Sequence, residues 1–185
     1  MLAAARVFLE EGFEAATTNR IAETAGVSVG SLYQFFPNKT ALLSELQIIW
    51  TQRLGAELDV ALAYPHRPVV ELIDEVLGVH ARLQRESGGL LGFLLTNSPT
   101  GDPSLTVRRA IQERLEHMAL MRRPESLPEH NRLLARMTIH ISDALYTLAP
   151  DAASDPHVRQ QVRMALLGYL KTTLEDIPQE GSSPR

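Results

Sequence analysis

The side chains best suited to chemistry in this 185-residue chain lie between Thr17 and Lys39, and their hydrogen-bonding groups match those of DNA. The Gln34 amide can pair in bidentate fashion with adenine, and Val29 offers a methyl surface for thymine. The other candidates supply donors for phosphate oxygens or leave room for the backbone to approach the groove. They are Thr17, Thr18, Ser28, Gly30, Tyr33 and Lys39.

Two short helices joined by a glycine turn must position these groups. Thr17 and Ser28 are expected to cap the first and second helix, and Gly26 to end the first. The second helix would turn Leu32 inward, and Val27, in the connection, is expected to be buried. This pattern predicts a helix-turn-helix, in which the second helix enters the major groove of DNA.

Further residues at fixed spacing narrow the interpretation. They are Gly12, Phe13, Ile21, Ala22, Ala25, Gly26, Val27, Leu32, Tyr33, Phe36, Pro37 and Lys39. With these residues the chain resembles, from Ala4 to about Leu46, the TetR (tetracycline-repressor) family of bacterial transcription regulators. The resemblance implies phosphate contacts by Tyr33 and Ser31, a homodimer, and a small-molecule effector whose binding releases operator DNA.

The charge of the chain argues against binding to nucleic acid. Its net charge is -4, and the first 50 residues hold three basic and five acidic side chains. However, the segment from Ser28 to Lys39 contains no carboxylate. Related proteins usually carry a basic segment before the first helix. We therefore expect either that the natural start lies upstream of Met1 or that DNA binding is weak, with a shallow salt dependence.

The rest of the chain predicts helices only. Proline and glycine recur at intervals of about one helix length, and no segment alternates with period two. The expected fold is all-α, with about nine helices: a helix-turn-helix DNA-binding domain over residues 1–46, a helical ligand-binding and dimerisation domain over 47–177, and a flexible tail over 178–185. The long helix from Lys39 would connect the DNA-binding domain, here called the head, to the ligand-binding and dimerisation domain, here called the body. Its apolar stripe comprises Leu42, Leu46, Trp50, Leu54, Leu58 and Leu62.

The composition of the chain limits the cellular compartment in which the protein is expected. The chain has no cysteine, which excludes disulfides and thiolate metal sites. It has no apolar run of about 20 residues and no secretory signal pattern, so we expect a cytoplasmic protein without membrane partners. No cofactor and no metal are expected.

Two late helices carry apolar stripes, which fit either the core of the body or a contact with a second subunit. The family resemblance favours the second reading, since TetR-type proteins pair their last two long helices in a four-helix bundle. Ala165 and Gly168 would permit close approach there. Two copies would also place recognition helices in major grooves about 34 Å apart. The candidate interface residues are Met137, Ile141, Leu145, Val162, Leu166 and Tyr169.

The effector implied by the resemblance would bind in the body. Its aliphatic and methionine content favours an apolar ligand. The candidate lining residues are Trp50, His80, Phe93, His117, Met121, His140 and Asp143, with Tyr146 beside them. The repressor sense of the regulation, rather than activation, rests on the resemblance alone.

Two other functions compete with this one. His140 with Asp143, and Glu113 with His117, share helix faces, as a helical metal site or an acid–base pair requires. The paired Glu-x-x-His motif of di-iron bundles, a glycine-rich phosphate loop and a nucleophile motif are all missing from the sequence, so we expect no enzyme. The alternative is a helical dimeric interaction protein whose operator binding is weakened or lost.

Overall fold

The part of the chain that the structure describes is helical. The computed structural model describes residues 1–97, 106–148 and 155–175. Within these ranges it contains nine α-helices and no strand, which confirms the predicted all-α fold. None of these helices combines the length and hydrophobicity needed to cross a membrane. The helices are α1 (Leu2–Ala15), α2 (Thr18–Ala25), α3 (Val29–Phe35), α4 (Lys39–Ala61), α5 (Val69–Glu86), α6 (Leu90–Thr96), α7 (Val107–Arg122), α8 (Pro128–Thr147) and α9 (Pro156–Leu174).

Single residues set several helix ends. Gly12 has a φ of +77°, which L side chains rarely adopt, and it kinks α1 before its last turn. The Asn38 Oδ1 accepts the amide of Ala41 at 2.9 Å and so caps the start of α4. At α9, Asp155 accepts the amide of His157 at 2.8 Å, and Pro156 occupies the first turn, where its missing N–H costs nothing.

The described chain forms two compact units. The first lies within Met1–Glu57 and Arg82–Ala110, and the second within Leu58–Ala81 and Ile111–Arg185. Helices α4, α5 and α7 have residues in both. The first part of α4 and all of α6 lie in the same compact unit as α1 to α3, and the domain border expected at residue 46 stays a prediction. The tail predicted over 178–185 lies outside the described residues.

Aromatic packing forms the core of the first unit. The Phe8 ring is fully buried, and its centroid lies 5.6 Å from that of Phe13 and 6.0 Å from that of Phe93, with which it is nearly parallel. Ile21 and Leu42 of the same unit are also buried. Helix α6, which carries Phe93, is almost wholly apolar, and five of its seven residues are buried.

A buried glutamine joins three helices of the first unit. The Gln47 Nε2 donates to the carbonyls of Leu94 and Asn97, each at 2.9 Å, and its Oε1 accepts the Val107 amide at 3.0 Å. Its side chain has no exposed surface. Gln47 thus satisfies backbone groups at the end of α6 and at the start of α7.

The second unit is built around α8 and α9, which pack against each other. Asp74 on α5 and Arg163 on α9 form an ion pair, in which Nη2 donates to Oδ2 at 2.7 Å. This hydrogen bond lowers the pKa of Asp74. The apolar core beneath contains Val69, Ile73, Ala119, Leu134, Leu145, Val162, Leu166 and Leu170, with a second cluster of Leu72, Leu115, Met118, Ala135 and Ile139.

Candidate nucleic-acid interface

Two side-chain caps and a glycine turn shape the helix-turn-helix. The Thr17 Oγ1 accepts the Arg20 amide at 3.1 Å, and the Ser28 Oγ accepts the Ser31 amide at 3.0 Å. Between the two helices Gly26 takes the left-handed conformation, with φ +68°, and its amide bonds to the end of α2. Both predicted caps and the predicted helix end are confirmed.

A hydrogen bond joins the start of α2 to the middle of α3. The Thr18 Oγ1 and the Tyr33 Oη lie 3.0 Å apart. Tyr33 is exposed and Thr18 is half-buried. This contact holds two predicted phosphate ligands close together, although they lie fifteen residues apart in the chain.

The outward face of α3 carries polar groups that a DNA groove can use. Gly30, Ser31, Tyr33 and Gln34 are exposed, while Val29 is half-buried. The hydroxyls of Ser28 and Ser31 share a hydrogen bond of 2.8 Å. The face therefore combines hydroxyl and amide groups in one patch, all on a single capped helix.

Lys39 has a structural role that the sequence did not reveal. Its Nζ donates to the carbonyls of Phe13 at 2.8 Å and Glu14 at 2.7 Å, at the end of α1. The ammonium also lies 4.8 Å from the centroid of the Phe13 ring, within the range of a cation–π contact. Phosphate binding by Lys39 stays a prediction. Its position in the first turn of α4 is explained by these carbonyls, which compensate for an unfavourable helix dipole.

The arginines of the head are held by carboxylates. The Arg20 Nε donates to Glu11 at 2.9 Å and its Nη1 to Glu23 at 3.0 Å, and these hydrogen bonds raise the pKa of the guanidinium. The Arg6 Nε donates to Glu10 at 2.8 Å. The head therefore neutralises much of its own charge, which agrees with the low basic charge of its sequence.

Val27 and Phe35 are among the apolar side chains that lie at the surface of the head. Val27 is 47% exposed, so the expectation that it is buried is wrong; the left-handed turn at Gly26 carries it outward. Phe35, which sequence reasoning did not select, is 76% exposed at the end of α3. The sequence carried no signal for this exposure, because a residue three positions after Leu32 lies on the same helix face as Leu32.

The predicted pocket residues do not share one environment. Trp50 is buried and Phe93 stacks on Phe8, both in the first unit. In the second unit, His117, Met121 and His140 are exposed, and their part in an effector pocket stays a prediction. Helical periodicity could not tell their outward face from an inward one.

Two contacts in the second unit do join predicted pocket residues to polar neighbours. The His140 Nδ1 lies 3.4 Å from the Asp143 Oδ2. His80 meets Tyr146 edge to face, with ring centroids 5.1 Å apart. Among the described residues, no group of three or more His, Cys, Asp or Glu could hold a metal ion.

The predicted dimer residues divide into two groups. Leu145, Val162 and Leu166 are buried in the core of the second unit of one subunit, so they offer no free surface to a partner. Met137 is 40% exposed, and Ile141 and Tyr169 are half-buried. Leu145, Val162 and Leu166 belong to the inward stripe of their helices. Each helix also has an outward apolar stripe, and periodicity alone does not distinguish the two.

Comparison with known proteins agrees with the fold and with the helix-turn-helix. Residues 1–46 match the family of bacterial regulatory proteins described as the tetR family. The nucleoid occlusion factor SlmA of Glaesserella parasuis serovar 5 (strain SH0165) is 39% identical over 51 residues, which span 25% of this chain and 25% of that protein.

Solved structures resemble the chain along most of its length. A TetR-family transcriptional regulator from Streptomyces coelicolor is 25% identical, with a TM-score of 0.69 over 93% of this chain and 95% of the other. Thermus thermophilus FadR, a TetR-family transcriptional repressor solved with lauroyl-CoA, is 22% identical, with a TM-score of 0.59 over 100% of this chain and 96% of the other. Residues 1–46 therefore match the tetR family of bacterial regulatory proteins, and the fold of the chain is similar to that of solved TetR-family regulators.

Proposed function

We propose that the chain is a transcriptional repressor that binds an operator as a homodimer and is released by a small-molecule effector. The observation that carries this proposal is the capped helix-turn-helix. Its exposed face from Ser28 to Lys39 presents hydroxyl and amide groups and no carboxylate. Such a face suits the major groove, where hydrogen-bond donors and acceptors distinguish base pairs.

Each predicted DNA-contacting residue has a defined task in the proposal. Gln34 pairs with adenine and Val29 contacts a thymine methyl, so base choice rests on these two residues. Tyr33, Ser31 and Thr18 donate to phosphates and set the register. Thr17 and Ser28 keep the helix ends closed beside the backbone, and Gly30 leaves room for close approach.

Lys39 serves both the fold and the DNA in this proposal. An ammonium has three N–H donors, and the carbonyls of Phe13 and Glu14 take two of them. The third is left for a phosphate oxygen. Since Arg6 and Arg20 are engaged by glutamates, few phosphate charges are neutralised, and we expect affinity to fall only gently with salt.

The homodimer is proposed to form through the outward stripes of α8 and α9. Both helices leave apolar or small side chains exposed on the side away from the core of the second unit. Such side chains allow two helices to approach each other in a bundle. With Met137, Ile141 and Tyr169 retained from the sequence prediction, the added interface residues are Leu133, Leu148, Met164, Ala165 and Gly168.

The effector is proposed to be a largely apolar molecule. The second unit offers an extensive apolar core. FadR, a protein of similar fold, is described in complex with lauroyl-CoA, whose acyl chain is apolar. An effector that binds better to the DNA-free form than to the DNA-bound form shifts the population away from the operator.

A gel-shift titration tests the proposal. DNA from both flanks of the gene is titrated with the wild-type chain, with Gln34→Ala and with Gln52→Ala, the latter an exposed glutamine on α4. Loss of one bidentate base contact costs about 1–3 kcal/mol, so Gln34→Ala should bind the shifted fragment roughly tenfold more weakly. Gln52→Ala should bind as the wild type does.

The same gel-shift titration distinguishes the proposed repressor from the alternative function, a dimeric interaction protein. An interaction protein that has lost operator binding would shift none of these fragments beyond the level of unrelated DNA, even at low salt. The engagement of Arg6 and Arg20 by carboxylates is the observation that favours this alternative. Equal weakening in both glutamine variants would count against α3 as the reading helix.

A further inference from the structure

Of the three polar side-chain atoms in the second unit that are buried without a hydrogen-bonding partner, two belong to neighbouring rings. They are the Nε2 of His80 on α5 and the Oη of Tyr146 on α8, neither of which hydrogen-bonds to any described protein group. The two rings meet edge to face, with centroids 5.1 Å apart and an interplanar angle of 74°. Both polar atoms therefore come from one contact between two helices.

The orientation of these rings is the reverse of the usual one. Tyrosine and histidine normally bury the ring and direct the polar tip to solvent. Here both residues are only half-buried, yet their polar tips are fully enclosed. Tyr146 also packs against the apolar core of the second unit, which includes Val69, Leu134 and Leu166.

Enclosed polar atoms call for a hydrogen-bonding partner. Most buried side-chain polar atoms have one, and an unsatisfied atom destabilises the folded state. Two such atoms on neighbouring rings can be satisfied by a single bound group that both donates and accepts. A hydroxyl has this property, since it can accept from the tyrosine and donate to the imidazole.

The charge of this contact defines the class of ligand. Burial lowers the pKa of His80 to about 4, so the imidazole is neutral at neutral pH. A phenol hydroxyl is neutral there as well. A charged ligand group would therefore enter apolar surroundings without a counter-charge from either residue, at a large desolvation cost.

We propose that His80 and Tyr146 form a binding subsite for an uncharged, largely apolar molecule that carries one hydroxyl group. The hydroxyl bonds to both Nε2 and Oη, and the apolar remainder of the molecule lies against the core of the second unit. The proposal rests on the proposed function, because it names the chemical class of the effector.

Calorimetric titration of the full chain with three matched probes tests this subsite. The probes are 4-butylphenol, butylbenzene, which lacks the hydroxyl, and 4-butylbenzoate, which is charged. We expect 4-butylphenol to bind about tenfold more tightly than butylbenzene, as one hydrogen bond to a buried partner allows. We expect 4-butylbenzoate to bind most weakly.

Three variants assign the preference to the two residues. Tyr146→Phe and His80→Phe remove the unpartnered atoms, so both should fold, with melting temperatures no lower than that of the wild type. Each should lose the tenfold preference for 4-butylphenol while retaining affinity for butylbenzene. Tyr64→Phe is the control, because Tyr64 belongs to the same unit and is 70% exposed.

Several results would overturn the subsite. They are equal affinity for 4-butylphenol and butylbenzene, no binding of either probe, or the same loss of preference in Tyr64→Phe. DNA binding of the same wild-type preparation is measured without any probe. If the chain shifts DNA but fails these titrations, the subsite proposal is refuted and the proposed regulatory function stands. If the chain binds 4-butylphenol selectively but shifts no DNA, the subsite proposal stands and the proposed regulatory function is refuted.

Discussion

The two units of the chain differ at particular enclosed polar groups, namely Gln47 in the first unit and the pair of His80 and Tyr146 in the second. In the first unit the Gln47 amide makes three hydrogen bonds, and Thr17 and Ser28 close the ends of the helix-turn-helix. In the second unit the enclosed tips of His80 and Tyr146 have no described partner.

The difference fits two different tasks. A surface that reads DNA works best when its helices are already fixed, since no ordering cost is then paid on binding. A site that responds to a ligand must keep groups whose interactions are completed only when the ligand arrives. Departures from full hydrogen-bond satisfaction are therefore expected where a protein binds something.

The largest change in the free energy of unfolding is expected at Gln47, the enclosed polar residue of the first unit. Substituting Gln47→Leu removes both polar atoms and leaves two carbonyls and one amide without this partner. Each unsatisfied group costs about 1–3 kcal/mol, so the free energy of unfolding should fall by about 4 kcal/mol. Urea denaturation measures it. The exposed Gln52→Leu is the control and should change stability by less than about 0.5 kcal/mol; equal losses would show that the amide network contributes little.

The pH dependence of stability tests the enclosed histidine. The pKa of His80 is about 4 in the folded chain, against an ordinary value of 6.5. Between these values the unfolded chain binds a proton that the folded chain does not. The free energy of unfolding should therefore rise from pH 4 to 6.5, by about 3 kcal/mol from this residue, and its contribution should be constant above that range.

Denaturation of the His80→Phe variant over the same pH range isolates this contribution. The variant should show a flatter rise than the wild type between pH 4 and 6.5. Identical slopes for the two proteins would mean that the His80 imidazole is solvated. The second unit would then not differ from the first by an enclosed, unpartnered histidine.

A smaller effect on the free energy of unfolding is expected when two cations of the head, Lys39 and Arg6, are substituted. Lys39→Met removes the two hydrogen bonds to the end of α1 and should lower the free energy of unfolding by about 1–2 kcal/mol. Arg6→Met removes only an exposed ion pair and should cost less than about 0.5 kcal/mol. Thermal denaturation ranks the two variants. An equal effect would mean that Lys39 acts only at the surface, as sequence reasoning alone suggested.

The local features of the head could be read from the sequence, because each depends on neighbouring residues. Thr17 and Ser28 bond to amides three positions ahead, and Gly26 ends its own helix. The bonds of Lys39 to residues 25 and 26 positions earlier had no local signal. The contact of His80 with Tyr146 likewise joins residues that the chain keeps far apart.

The outward and inward stripes of the late helices mark another limit. Leu145, Val162 and Leu166 have the same apolar spacing as a dimer seam, yet they form the core of one subunit. A period of 3.6 residues gives the apolar side of a helix but not what covers it. Only the packing of α8 on α9 identified Met137 and Met164 as outward residues.

DNase I footprinting on DNA flanking the gene tests the central claim most directly. The wild-type chain at low salt should protect one symmetric region, with two half-sites whose centres lie about 34 Å, one helical turn, apart. Protection should weaken in the Gln34→Ala variant. A folded wild-type chain that protects no segment on either flank would contradict the account of the head as an operator reader.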